Sequence, residues 1–95
     1  MVTGLAEFED EMAHRIPAMR AAAARGDAST LEHLASLLQS RARALGADRC
    51  VEACDELETV GRQGTLGEAP VFLAQLEDEL DRLRVTAGPF SWPAE

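Results

Sequence analysis

The stretch Asp27–Ala47, DASTLEHLASLLQSRARALGA, decides the fold. Leu31, Leu34, Leu38, Ala42 and Leu45 recur every three or four residues, which lines one side of an α-helix with apolar groups and leaves the other side to water. Asp27 or Ser29 can cap the start, and Ser29 with Glu32 fits a capping box. Gly46 supplies a left-handed residue that closes the helix. At about 100° per residue, Ser29, Glu32, His33, Ser36, Gln39, Ser40 and Arg43 fall within about 60° of Ser36, opposite the apolar seam. The polar face is therefore centred on a serine and is expected to meet solvent.

The flanking sequence repeats this pattern. From Leu5 to Arg25 the apolar positions are Leu5, Phe8, Met12, Ile16, Met19 and Ala23, interrupted by Pro17, which predicts a helix either kinked or split at that point. Gly26-Asp27 ends it. Asp48 can cap a third helix from Arg49 to Gln63, with Cys50, Val51, Cys54, Leu57 and Val60 inward. After a loop at Thr65-Leu66-Gly67, Pro70 suits the first turn of a last helix whose seam is Phe72, Leu73, Leu76, Leu80 and Leu83, stopped by Gly88-Pro89. Three short connections between long amphipathic helices require antiparallel neighbours. The expected architecture is all-α: an up-down antiparallel four-helix bundle over residues 1–88, followed by a non-helical tail over 89–95 in which Phe90 packs back on the bundle. Balanced single seams predict a monomer.

Composition agrees with this reading and excludes several functions. Tyrosine is absent, and Ala, Leu, Glu and Arg dominate, as helices prefer. Ninety-five residues make one small domain, near the lower end of what buries a stable core unaided. Seventeen acidic residues against 9 basic ones give a net charge of -8, which opposes binding to nucleic acid or to an anionic membrane surface. No apolar run approaches the ~20 residues of a membrane span, and Met1-Val2-Thr3-Gly4 does not open a signal peptide, so the expected compartment is the cytoplasm. The opening Met1 fits a free-standing protein. Cys50 and Cys54 lie four apart on one helix and point in parallel, which predicts buried thiols with no intrachain disulfide. With only His14 and His33 elsewhere, no ligand-pair spacing for a metal exists, and no cofactor is implied. Ser36, Ser40 and His33 share one exposed face without oxyanion donors, which argues against serine-based catalysis. The acids Glu77, Asp78, Glu79 and Asp81, followed by Arg82 and Arg84, read as a solvated helix face.

Several pieces then fall in one order along nearly the whole chain. Phe8 with Ile16-Pro17, Gly26-Asp27, the helix ending Leu45-Gly46-Ala47, Cys54-Asp55-Glu56-Leu57-Glu58, and Gly61-Arg62-Gln63-Gly64 together resemble the framework of histidine-phosphotransfer (Hpt) domains. The resemblance implies a helical bundle with a phospho-accepting histidine projecting from one helix, working with response-regulator receiver domains and histidine kinases. Counted back from Leu-Gly-Ala, the family motif of histidine, a variable residue, leucine, lysine and glycine falls on Ser36, Leu37, Leu38, Gln39 and Ser40. Leu38 keeps the core contact. Ser36 stands where the histidine would, Gln39 is neutral where the lysine would offset phosphoryl charge, and Ser40 adds bulk where glycine would admit a partner's backbone.

The resemblance therefore implies a degenerate Hpt domain that docks a receiver domain or a histidine kinase without carrying phosphate. Its partner-binding residues are expected to be His33, Ser36, Leu37, Gln39, Ser40 and Arg43, with Leu37 as the apolar anchor at the edge of the polar face. The first alternative is an active phosphorelay protein using His33. That residue lies about 60° round the same face, but ~4.5 Å along the axis from Ser36, a shift that in-line transfer from a docked aspartate tolerates poorly. The second alternative is a helical-bundle adaptor outside phosphorelay signalling.

Overall fold

The computed structural model describes residues 4–87 of the chain. Four helices account for most of them: α1 (Gly4–Ala24), α2 (Ala28–Leu45), α3 (Asp48–Gln63) and α4 (Ala69–Ala87), with a single 3-10 turn at Leu66–Glu68 leading into α4. Each packs antiparallel against the next, and α4 returns to α1, which closes the expected all-α up-down four-helix bundle. Gly88-Pro89 and the tail with Phe90 lie outside the described residues. Among the described residues, no helix is long and apolar enough to cross a membrane.

The helix ends choose among the caps that the sequence offers. Asp27 caps α2: its Oδ1 accepts from the Thr30 backbone N–H at 3.1 Å, and the Thr30 hydroxyl donates to its Oδ2 at 2.7 Å. These bonds hold the Asp27 carboxyl below the ordinary carboxylate range, and Ser29 falls inside the helix, so the capping box is not used. Gly46, at φ 73°, turns the chain sharply enough that Ala47 already donates back to the Ala42 carbonyl at 2.9 Å. Nothing is left between the turn and α3. Ala47 occupies the N-cap without a side-chain bond, and Asp48 is the first helical residue, where its charge faces the positive end of the helix dipole instead of capping it.

α1 runs through Pro17 as one helix, so the split does not occur. Ala13, whose carbonyl loses its partner at Pro17, is exposed, as is Pro17 itself, and water can satisfy that group.

The core takes Phe8, Met12, Ile16 and Met19 from α1, Leu31 and Leu38 from α2, Cys50, Cys54, Leu57 and Val60 from α3, and Leu73, Leu76 and Leu80 from α4. Small residues complete it. Ala22, Ala35, Ala42, Ala53 and Ala69 are fully buried, several at positions that the apolar pattern passes over. On α2 the difference has a direction: Ala35 is buried, Leu34 is half-buried and Leu45 is 42% exposed, so Leu45 is not part of the inward seam. The helix is turned roughly 35° toward α3 from the orientation its leucines alone predict. Gly61 permits this. A Cβ at Gly61 would stand 2.9 Å from both the Ala28 carbonyl oxygen and Glu32 Cβ, so α3 meets the start of α2 backbone to backbone.

Each helix seam also carries a peripheral ion pair: Arg41–Glu11 at 3.3 Å, Arg62–Glu32 at 3.4 Å, Arg49–Glu79 at 3.9 Å and Arg20–Glu77 at 2.6 Å. Exposed pairs of this kind are worth ~0–1 kcal/mol each, so burial holds the bundle together while the pairs mark its register.

Two expectations test the packing. Gly61→Ala should lower the unfolding free energy by ~1–3 kcal/mol, because backbone atoms cannot yield as a flexible side chain would, and urea denaturation measures it. Burial pushes the Cys50 thiol up to about 11 and the Cys54 thiol up to about 12, so both stay protonated and shielded at neutral pH. Ellman's reagent should leave them unlabelled in the native protein and react with both once denaturant unfolds it.

Candidate functional site

The turn of α2 toward α3 decides which of its polar residues face outward. His33, Ser36, Ser40 and Arg43 are exposed, and the centre of the outward side falls between His33 and Ser40, with Ser36 beside it toward α3. Glu32 and Gln39, placed on the same face by the pattern, are instead half-buried at its α3 edge. Glu32 bridges to Arg62, and the Gln39 amide Nε2 donates to the Asp55 carboxylate. Thus Gln39, where the resemblance places the family's lysine, is engaged with α3 and does not reach out over Ser36.

The α1 edge has a different character. Leu37 is 39% exposed there, an apolar group on an otherwise polar face. Arg41 reaches across to Glu11 at 3.3 Å, and Glu11 is held in turn by Arg15 at 2.9 Å. A shallow groove of about 550 Å³ follows this seam, bordered by Asp10, Glu11 and His14 of α1 and by Leu34 and Arg41 of α2. His14 is fixed locally: its Nδ1–H donates to the Asp10 carbonyl at 2.8 Å, since a carbonyl can only accept.

The charge along α2 is segregated. From His33 to Leu45 the helix contains no acidic residue, although the chain has a net charge of -8. Arg43 has no carboxylate within 4.0 Å among the described residues, a condition it shares only with Arg84 of α4. No side-chain hydrogen bond among the described residues involves Ser36, Ser40 or His33. Ser36 consequently has no base to activate it.

Beside Arg43 lies a residue that spacing alone does not single out as functional. Glu58 of α3 has one carboxylate oxygen bridged by Arg62 at 3.4 Å, while the other, Oε2, is buried without a hydrogen-bond partner. Its carboxyl is pushed above the ordinary range by burial first and by Asp55 second, against the opposing charges of Arg62 and Arg43. The Leu57-Glu58 pair was visible as part of a framework, but its burial depends on how closely α3 approaches α2.

The family model described as Hpt domain matches residues 4–86, which takes in all four helices. The chain belongs to this family. Searches among curated proteins and among solved structures gave no match. In this Hpt domain, α2 is the helix on which the resemblance places the family's motif, and its outward face is the candidate site.

Glu58 provides a pH test of the α2–α3 seam. Because its folded carboxyl holds a proton more tightly than in the unfolded chain, the stability it contributes is present below the ordinary carboxylate pKa and is lost as pH rises through the raised value. Glu58→Gln should therefore shift the urea midpoint in the variant's favour, relative to wild type, on going from about pH 3.5 to about pH 7.

Proposed function

We propose that this Hpt domain binds a response-regulator receiver domain, or the histidine kinase that feeds one, and does not carry phosphate. The observation that carries the reading is Ser36, exposed on α2 ten residues before Gly46, where the family motif places its histidine. An imidazole is a nucleophile near neutral pH and forms a phosphoramidate labile enough to pass the group on. A serine hydroxyl without a base is a poor nucleophile, and its phosphate ester is a poor donor. The changes at Gln39 and Ser40 act in the same direction, since one removes a positive charge and the other fills space at the motif's glycine.

The surface left for recognition comprises His33, Ser36, Leu37, Ser40 and Arg43, with Gln39 at its α3 edge. Leu37 is the apolar anchor of this reading, and the polar groups around it set orientation. A module of this kind acts by occupying the surface that a true phosphate carrier would use.

One observation favours a second reading. His33 is exposed and lies near the outward centre of α2, so a phosphorelay protein using His33 is the alternative. Its displacement by almost one turn from the motif position weighs against it, because transfer requires the attacking nitrogen in line with the donor.

Incubation with labelled phospho-receivers and with autophosphorylated histidine kinases separates the two. The expected outcome is no acid-labile phosphate on the chain, together with receiver-induced NMR shifts centred on His33, Ser36, Leu37 and Ser40. Acid-labile label that disappears in His33→Gln would replace this proposal with the phosphotransfer reading.

A further inference from the structure

The charge pattern of α2 carries a statement about the state of the partner. From His33 to Leu45 the helix has no acidic residue in a strongly acidic chain, and an arginine on its outward side has no carboxylate within 4.0 Å among the described residues. Arg41, by contrast, is already bridged to Glu11. Glu58, which feels the Arg43 charge, is largely buried on α3 and bridged by Arg62. Ser36, Ser40 and Arg43 fall within about 60° of one another around the helix, so the Arg43 side chain leaves α2 on the side that carries both hydroxyls. Two hydroxyl donors one turn apart and one guanidinium thus serve a single patch of surface, and Ser36 cannot attack what binds there.

We infer, resting on the reading of the partner as a receiver domain, that this face distinguishes the receiver's two states. It binds the form bearing an aspartyl phosphate more tightly, through Arg43 and the hydroxyls of Ser36 and Ser40. A phosphoryl group adds roughly -1.5 to -2 of charge and three strong acceptor oxygens, which match a guanidinium and two hydroxyls. In an Hpt domain with a reactive histidine the same encounter ends in transfer. Here the phosphoryl group stays on the receiver's aspartate, and the complex lasts as long as the phosphate does.

The test is calorimetric titration of the full chain with a panel of purified receiver domains in Mg²⁺, each with and without beryllofluoride as the phosphoryl mimic. The expected result is about tenfold tighter binding of the mimic-bearing form by at least one receiver, from the charge-assisted bonds it adds. Arg43→Gln should bring the ratio of the two affinities close to one, while Arg84→Gln, which removes an arginine on α4 outside the face that likewise has no carboxylate within 4.0 Å among the described residues, should leave it unchanged. Equal affinity for both forms, or an Arg43→Gln that weakens both by the same factor, overturns this inference and leaves receiver docking standing. If no receiver binds in either form, both the docking reading and this inference fall.

Discussion

At Gly61, α3 lies so close to the first turn of α2 that an added Cβ would stand 2.9 Å from the Ala28 carbonyl oxygen. Much of the candidate site's form follows from that contact. It draws α2 round so that Ala35 enters the core, Leu34 comes to its border and Leu45 turns out to water. The same rotation brings Glu32 and Gln39 against α3 and presents His33 and Ser40 outward. A larger residue at Gly61 would therefore disturb the chemistry of a face that it does not touch.

Most of the architecture was legible in the sequence because long amphipathic helices joined by short glycine turns leave few alternatives. The order of the helices, the buried cysteines and most of the leucines and methionines of the core could be read from spacing. The rotation of α2 could not, because alanine reads as neither inside nor outside until the distance to the neighbouring helix is known. Ala35 and Leu34 lie 100° apart on the wheel, and only the α3 contact selects between them. The cap of α3 was missed for a related reason, since a turn closed by backbone bonds from Gly46 and Ala47 leaves Asp48 no position from which to cap.

The candidate site was legible at a coarser level. Exposure of His33, Ser36, Ser40 and Arg43 follows from periodicity, and the motif positions follow from counting back from Gly46. Which side chains were already engaged did not follow. Gln39, Glu32 and Arg41 are polar residues on a polar helix, yet each is committed to a neighbouring helix, while Arg43 has no carboxylate within 4.0 Å among the described residues. A helical wheel carries no information about partners contributed by other helices, and these assign the remaining charge.

The Gln39–Asp55 contact has a further bearing on what the outward face of α2 can offer a partner. Residue 39, where the resemblance places the family's lysine, links α2 to α3 through its amide. A lysine at residue 39 would find a carboxylate waiting on α3, so its charge would be largely cancelled before reaching a group above Ser36. A lysine introduced at residue 39 would thus need a change at Asp55 beside it to leave its charge free. What residue 39 can offer a bound group is set in the seam between helices, out of sight of the surface where that group would lie.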